Sequence, residues 1–144
     1  MKTSARNHFS GSVSAVRPGA VNDEIELEVA GGVRLVATVT RESSRELGLV
    51  QGAQAFALVK ASAIVLMTEC EDVRLSARNQ FKGTVKTVTD GAVNSEVVLE
   101  LPGGALLAAI VTLESARALG LKEGVQAVAL FKASSVILGV PAAR

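Results

Sequence analysis

Arginine, lysine, serine and threonine recur in this chain at spacings that suit the capture of an anion. Arg6 follows Ser4 and Ala5 and precedes Asn7, and Arg78 stands in the same way between Ser76-Ala77 and Asn79. Lys60 ends the apolar run Phe56-Ala57-Leu58-Val59, and Lys132 ends Val128-Ala129-Leu130-Phe131. Ser62 and Ser134 lie two residues beyond these lysines, where strand periodicity would put them on the same face. Thr40 with Ser43, and Thr112 with Ser115, open two short helical patterns. Each group has an ordinary reading. Ser and Asn can bond local backbone where a strand begins, leaving Arg in solvent. A lysine at a strand end can snorkel, and Thr is a good N-cap. Taken together they offer another. Guanidinium and hydroxyl donors can converge over a short backbone loop. An ammonium can stay partly desolvated until an anion pairs with it, and a helix start can add N–H groups. One Arg and one Lys would balance a small dianion without any metal cation. The set has almost no planar or apolar surface for an organic ligand, so a compact tetrahedral oxyanion fits best; composition does not choose which one.

Catalytic constellations do not emerge. The single histidine, His8, aligns with Gln80 in a second copy of the pattern and reads as a surface residue. Cys70 lies outside the repeated segments and reads as an ordinary thiol that forms no internal disulfide. There is no HExxH, no CxxC and no Gly-x-x-x-x-Gly-Lys. Nucleophilic catalysis needs a nucleophile and base held together, and no such pair recurs. The chain is expected not to be an enzyme and to hold no metal through direct cation ligands.

The spacing of these residues follows from a duplication. Segments 4–66 and 76–138 align at a constant offset of 72 residues without a gap, and more than half of the aligned positions are identical. The 144 residues thus divide into two small domains, expected at 1–67 and 73–140. Domains of this size bury little surface and are marginal alone. Hydrophobic residues make up 49% of the chain, a surplus expected to be covered between copies. The net charge is only +1, there is no Trp or Tyr, and Phe occurs four times. Neither a basic stripe nor a base-stacking platform is available, so nucleic acid is not expected as a partner. No apolar run reaches the length of a membrane span. The N-terminus lacks a secretory core, so a cytoplasmic location is expected.

Alternation dominates the pattern between these residues. Residues 9–16 read as a strand with Phe9, Gly11 and Val13 on one face. Ile25, Leu27 and Val29 alternate with Glu24, Glu26 and Glu28, as in a half-exposed strand. Gly31-Gly32 suits a tight hairpin, followed by strands at 33–40, 53–59 and 63–66. Residues 40–48 form a short helix between the third and fourth strands, with Thr40 as N-cap and Gly48 just past its end. The second copy repeats all of this. The expected fold is all-β: two tandem OB-like five-stranded barrels, each with one short helix.

The motifs Ser-Ala-Arg-Asn-x-Phe-x-Gly-x-Val, Gly-Ala-Val-Asn, Leu-Gly-Leu-x-x-Gly and Lys-Ala-Ser, each present twice, resemble the molybdenum-pterin-binding (Mop, TOBE-type) domain. Two in tandem resemble the di-domain molbindins. The resemblance implies a homotrimer that binds molybdate, with tungstate as a substitute. It places the anion pocket on Ser4, Arg6, Thr40, Ser43 and Lys60, and on Ser76, Arg78, Thr112, Ser115 and Lys132. Asn7, Ser62, Asn79 and Ser134 adjoin these sets. Pockets in this family lie between domains or subunits, so one pocket can mix residues of both sets. A second kind of pocket near a three-fold axis would fall on Gly19, Ala20, Val21 and Asn22, and on Gly91, Ala92, Val93 and Asn94. Ala63 stands opposite Ser135, and His8 opposite Gln80, so the two pockets need not be equal. The chain has no room for a helix-turn-helix or an ATPase, which favours storage or homeostasis of the oxyanion. The alternative is a protein-interaction or regulatory module in which Arg6 and Lys60 are only surface charges.

Overall fold

The glutamates of the Ile25-Leu27-Val29 segment alternate with apolar residues at a period of two, and the segment folds accordingly. In a computed structural model that describes residues 1–142, Ile25, Leu27 and Val29 are buried and the glutamates between them are half-buried or exposed. The strands of the first half are β1 (Asn7–Arg17), β2 (Asn22–Val29), β3 (Val33–Thr40), β4 (Gln54–Val59) and β5 (Val65–Met67), with α1 (Arg41–Glu46) between β3 and β4. The second half repeats them as β6 (Asn79–Asp90), β7 (Asn94–Glu100), β8 (Leu106–Thr112), β9 (Gln126–Phe131) and β10 (Val136–Gly139), with α2 (Leu113–Ala118) between β8 and β9. The Gly31-Gly32 hairpin closes through a single 3-10 turn, Ala30–Gly32, in which Gly31 and Gly32 take φ of 83° and 77°, a region that glycine enters without steric cost.

Two units result, and each is an all-β, OB-like barrel with one short helix. The first comprises residues 1–59 and the segment from Lys132 onward; the second comprises Lys60–Phe131. Strand order in the first is β10-β4-β1-β2-β3, and in the second β5-β9-β6-β7-β8, with antiparallel neighbours throughout. Each sheet curls until its outer strands approach: β10 packs on β3, and β5 on β8. The packed units therefore do not follow the sequence repeats at the fifth strand. Residues 65–67, the last strand of the first repeat, pair with β9, and Val136–Gly139 pair with β4.

The curl has local causes. The β1–β2 register shifts between Val13 and Ala15, and that of β6–β7 between Val85 and Thr87, the bulges that let a strand bend. A Cβ at Gly11 would collide with the Glu28 carbonyl oxygen, so only glycine allows the two strands to approach. Inside the curl lie Val13, Ile25, Leu27, Leu35 and Val59 in the first unit, and Val85, Val97, Leu99, Leu107 and Phe131 in the second. Each such side chain contributes about 1.5–3 kcal/mol by leaving water.

Candidate functional site

Both helix starts are built alike. Thr40 and Thr112 keep extended backbone (ψ 148°) and cap the helix, accepting the N–H of Ser43 at 3.1 Å and of Ser115 at 3.0 Å. Each threonine hydroxyl also donates to the serine hydroxyl, at 2.9 Å for Thr40 to Ser43 and 2.8 Å for Thr112 to Ser115. Two hydroxyls sharing one hydrogen bond leave one of their two protons for a further acceptor. The sequence suggested that N–H groups of the helix start are free for an anion, and the geometry shows two of them already engaged. The first N–H of each helix, from Arg41 and Leu113, is taken by the carbonyl of Val21 at 2.9 Å and of Val93 at 2.8 Å. The cap takes a second. Glu42 and Glu114 lie in the first turns and favour the positive helix end themselves. Two of the N–H groups at each helix start are thus engaged, and the paired hydroxyls stand beside the remainder.

The bonds from Val21 and Val93 join two groups that looked separate in the sequence. Residues 19–22 and 91–94 lie against the helix starts, with Asn22 opposite Thr40 and Asn94 opposite Thr112 in the strand register. Val21 and Val93 point outward, 73% and 71% exposed. Gly19 donates its N–H to Asp23 Oδ1 at 3.2 Å, whereas Gly91 donates to the Asn94 carbonyl at 2.7 Å. Asp23 is buried, and sequence reasoning missed it. The signal was present: Asp23 shares its parity with Ile25, Leu27 and Val29, so a carboxylate faces inward.

Lys60 and Lys132 are not strand residues. Each precedes a 3-10 turn, Ala61–Ala63 and Ala133–Ser135, whose first alanine is buried. Across the turn the exposure still alternates, with the alanine buried between the exposed lysine and serine. Both lysines and both serines are exposed. The turn at Ala133–Ser135 packs on β3, the strand that ends at Thr40, and the turn at Ala61–Ala63 packs on β8, which ends at Thr112. The first unit thus holds Ser4, Arg6, Asn7, Thr40 and Ser43 together with Lys132 and Ser134; the second holds Ser76, Arg78, Asn79, Thr112 and Ser115 with Lys60 and Ser62. Each unit draws its lysine from the other repeat.

Asn7 and Asn79 are almost wholly buried. The Asn7 amide donates to the Val59 carbonyl at 3.1 Å, the strand-start role that the sequence left open for it. Ser4, Arg6, Ser76 and Arg78 remain on the exposed segments that lead into β1 and β6. His8 is exposed and rests edge-on against Phe56, with ring centroids 5.2 Å apart. Among the described residues no cluster of three or more His, Cys, Asp and Glu side chains could hold a metal ion. No helix of the described residues is long and apolar enough to cross a membrane. A cavity of about 480 Å³ in the second unit is lined by linker residues including Cys70 and Leu75 and by Lys82 of β6, and by none of the expected anion-binding residues.

Comparison with known proteins gives this geometry a setting. The TOBE domain model matches residues 3–66 and again 75–138. The chain is 48% identical over 140 residues to the molybdenum transport protein ModE of Herbaspirillum seropedicae, covering 97% of this chain and 52% of that protein. It is 46% identical over 141 residues to the molybdenum-pterin-binding protein MopA of Rhodobacter capsulatus, covering 98% of this chain and 53% of that protein. The chain therefore spans about half the length of these relatives. Among solved structures, the cytoplasmic molybdate-binding protein ModG with molybdate bound superposes with a TM-score of 0.95 at 53% identity, covering 98% of this chain and 100% of that one.

Proposed function

The chain belongs to the TOBE-domain family, and from that membership we propose that it binds the molybdate dianion reversibly and catalyses no reaction. The observation that carries the reading is the repetition in both units of one arginine, one lysine and a threonine–serine hydroxyl pair with one proton left for an acceptor. The first site comprises Arg6, Lys132, Thr40, Ser43 and Ser134, with Ser4 beside the arginine. The second comprises Arg78, Lys60, Thr112, Ser115 and Ser62, with Ser76. The two cations neutralise a dianion, and charge-assisted hydrogen bonds from guanidinium and ammonium hold its oxygens. Neutral hydroxyl donors add directionality without further charge. Molybdate needs no metal cation to be held this way. The names of ModG, MopA and ModE support the choice of anion.

Tungstate has the same shape and charge and substitutes for molybdate. Storage or buffering in the cytoplasm is the role we favour, supported by the likeness to ModG, a cytoplasmic molybdate-binding protein. A second reading has its own support: the match with the DNA-binding transcriptional dual regulator ModE of Escherichia coli covers only about half of that protein, as an oxyanion-sensing portion of a larger regulator would. Binding is completed in a homotrimer. Val21, Val65, Val93 and Ile137 are each more than half exposed, and a partner copy would cover them. Isothermal titration of purified protein with molybdate, with elemental analysis of protein from molybdate-supplemented cells, tests the reading. Saturable binding with bound molybdenum at or above one per chain is the expected result. Absence of molybdenum and of any heat of binding would overturn it.

A further inference from the structure

The two repeats tie down the same loop with different residues. In the first, Asp23 is buried at the start of β2 and its Oδ1 accepts the Gly19 N–H at 3.2 Å, while Pro18 stands before the loop. In the second, serine replaces that aspartate and aspartate replaces that proline. Ser95, also buried, donates its hydroxyl to Asp90 Oδ1 at 2.8 Å, and the Gly91 N–H turns to the Asn94 carbonyl at 2.7 Å. The carboxylate has moved from one side of the loop to the other, and its donor has changed from a backbone amide to a hydroxyl. The end state is the same in both units. The loop carbonyl of Val21 or Val93 takes the first N–H of the helix, beside the threonine that orients the serine hydroxyl.

A carboxylate at a buried position is costly unless its oxygens are hydrogen-bonded. Packing alone gives no reason for a buried carboxylate at Asp23, nor for the exposed Asp90 at the end of β6 to reach the buried Ser95. Closing the loop does. From Asp23 the bonds run without a break: Asp23 to Gly19, then through the three-residue loop to Val21, from Val21 to Arg41, and from the adjoining Thr40 to Ser43. We infer that Asp23 in the first unit, and the Asp90–Ser95 pair in the second, are positioning residues that hold the 19–22 and 91–94 loops against the helix starts and thereby set the Thr40–Ser43 and Thr112–Ser115 hydroxyl pairs for the anion. The part concerning the anion rests on the proposed function; the part concerning the loop does not.

The full chain tests both parts with three variants: Asp23→Asn, Asp23→Ser, and Pro18→Asp combined with Asp23→Ser, which transplants the second repeat's arrangement into the first. Amide hydrogen exchange at Arg41 reads the loop-to-helix bond, with Leu113 as the internal control, and titration with molybdate reads the site. Asp23→Asn keeps an Oδ1 acceptor and stays within about threefold of the parent in both readouts. Asp23→Ser speeds exchange at Arg41 by about tenfold or more and weakens one class of molybdate sites by about tenfold, leaving Leu113 and the other class as they were. The double variant returns both to within about threefold. Unchanged exchange in Asp23→Ser overturns the inference. So does a loss that the double variant fails to restore, or one that falls equally on both site classes. If the parent protein binds no molybdate, the proposed function and the anion part of the inference fall together, and exchange at Arg41 still decides the positioning claim for the loop.

Discussion

The side-chain amide of Asn7 donates to the main-chain carbonyl of Val59, 52 residues away, at 3.1 Å in a position sealed from solvent. It ties the first residue of β1 to the last residue of β4, so the exposed segment carrying Ser4 and Arg6 leaves the barrel at a defined point. Asn7→Ala removes the donor and opens a small void. A loss of about 1–3 kcal/mol is expected. In a unit of this size that lowers the melting midpoint by several degrees, about 4–8 °C per kcal/mol, measurable by thermal denaturation followed by circular dichroism.

Gly11 and Gly83 occupy the same place in the two units but differ in clearance. An added Cβ would collide with the Glu28 carbonyl oxygen at Gly11, and would lie 2.9 Å from the Glu100 carbonyl oxygen at Gly83. Gly11→Ala should therefore cost more than Gly83→Ala, with overpacking of about 1–3 kcal/mol at the tighter site. Urea unfolding of the two variants gives the comparison; equal midpoints would contradict it.

Each unit's lysine comes from the other repeat, and that fixes which substitutions should interact. Lys132→Ala and Lys60→Ala should each weaken molybdate binding at one class of sites by tens-fold or more, since the dianion loses one of its two cations, a loss of about 2–5 kcal/mol once a partner copy encloses the occupied site. Lys132→Ala should be non-additive with Ser43→Ala and additive with Ser115→Ala, because residues of one network couple and distant ones do not. Titration calorimetry of the single and double variants measures the couplings. Full additivity in both pairs would reject the assignment.

Selectivity should follow protonation and size. None of the residues assigned to the anion carries a carboxylate, so a proton on phosphate would find acceptors only in hydroxyls needed as donors. Leaving such a group unpaired costs about 1–3 kcal/mol when buried. Sulfate is a full dianion but smaller, and donors set by a helix start and a 3-10 turn should be too far apart to close on it. Tungstate should compete with molybdate near parity, with sulfate and phosphate much weaker. Displacement of molybdate by equimolar sulfate in competition calorimetry would show a generic anion site.

Much of the molecule was legible along the chain because its causes are local. The parity of Ile25, Leu27 and Val29 against three glutamates specifies a strand and its buried face without reference to anything distant. Thr40 and Gly48 bracket α1 because capping acts within one turn of helix, and Gly48 takes the left-handed φ of 66° required there. The duplication of Arg, Lys, Ser and Thr was enough to group the residues of a candidate anion site. Tertiary structure decided what local chemistry leaves degenerate. Val65–Met67 and Val136–Gly139 are near-equivalent apolar strands, and β4 and β9 present near-identical edges, so nothing short-range distinguishes one pairing from the other. The 3-10 turns after Lys60 and Lys132 carry each chain segment to the other unit's sheet. The lysines go with them, because a residue next to a turn follows the turn. Asp23 belongs to the same category: its inward parity is written in the sequence, but its partner, the Gly19 N–H, exists only once the loop has closed.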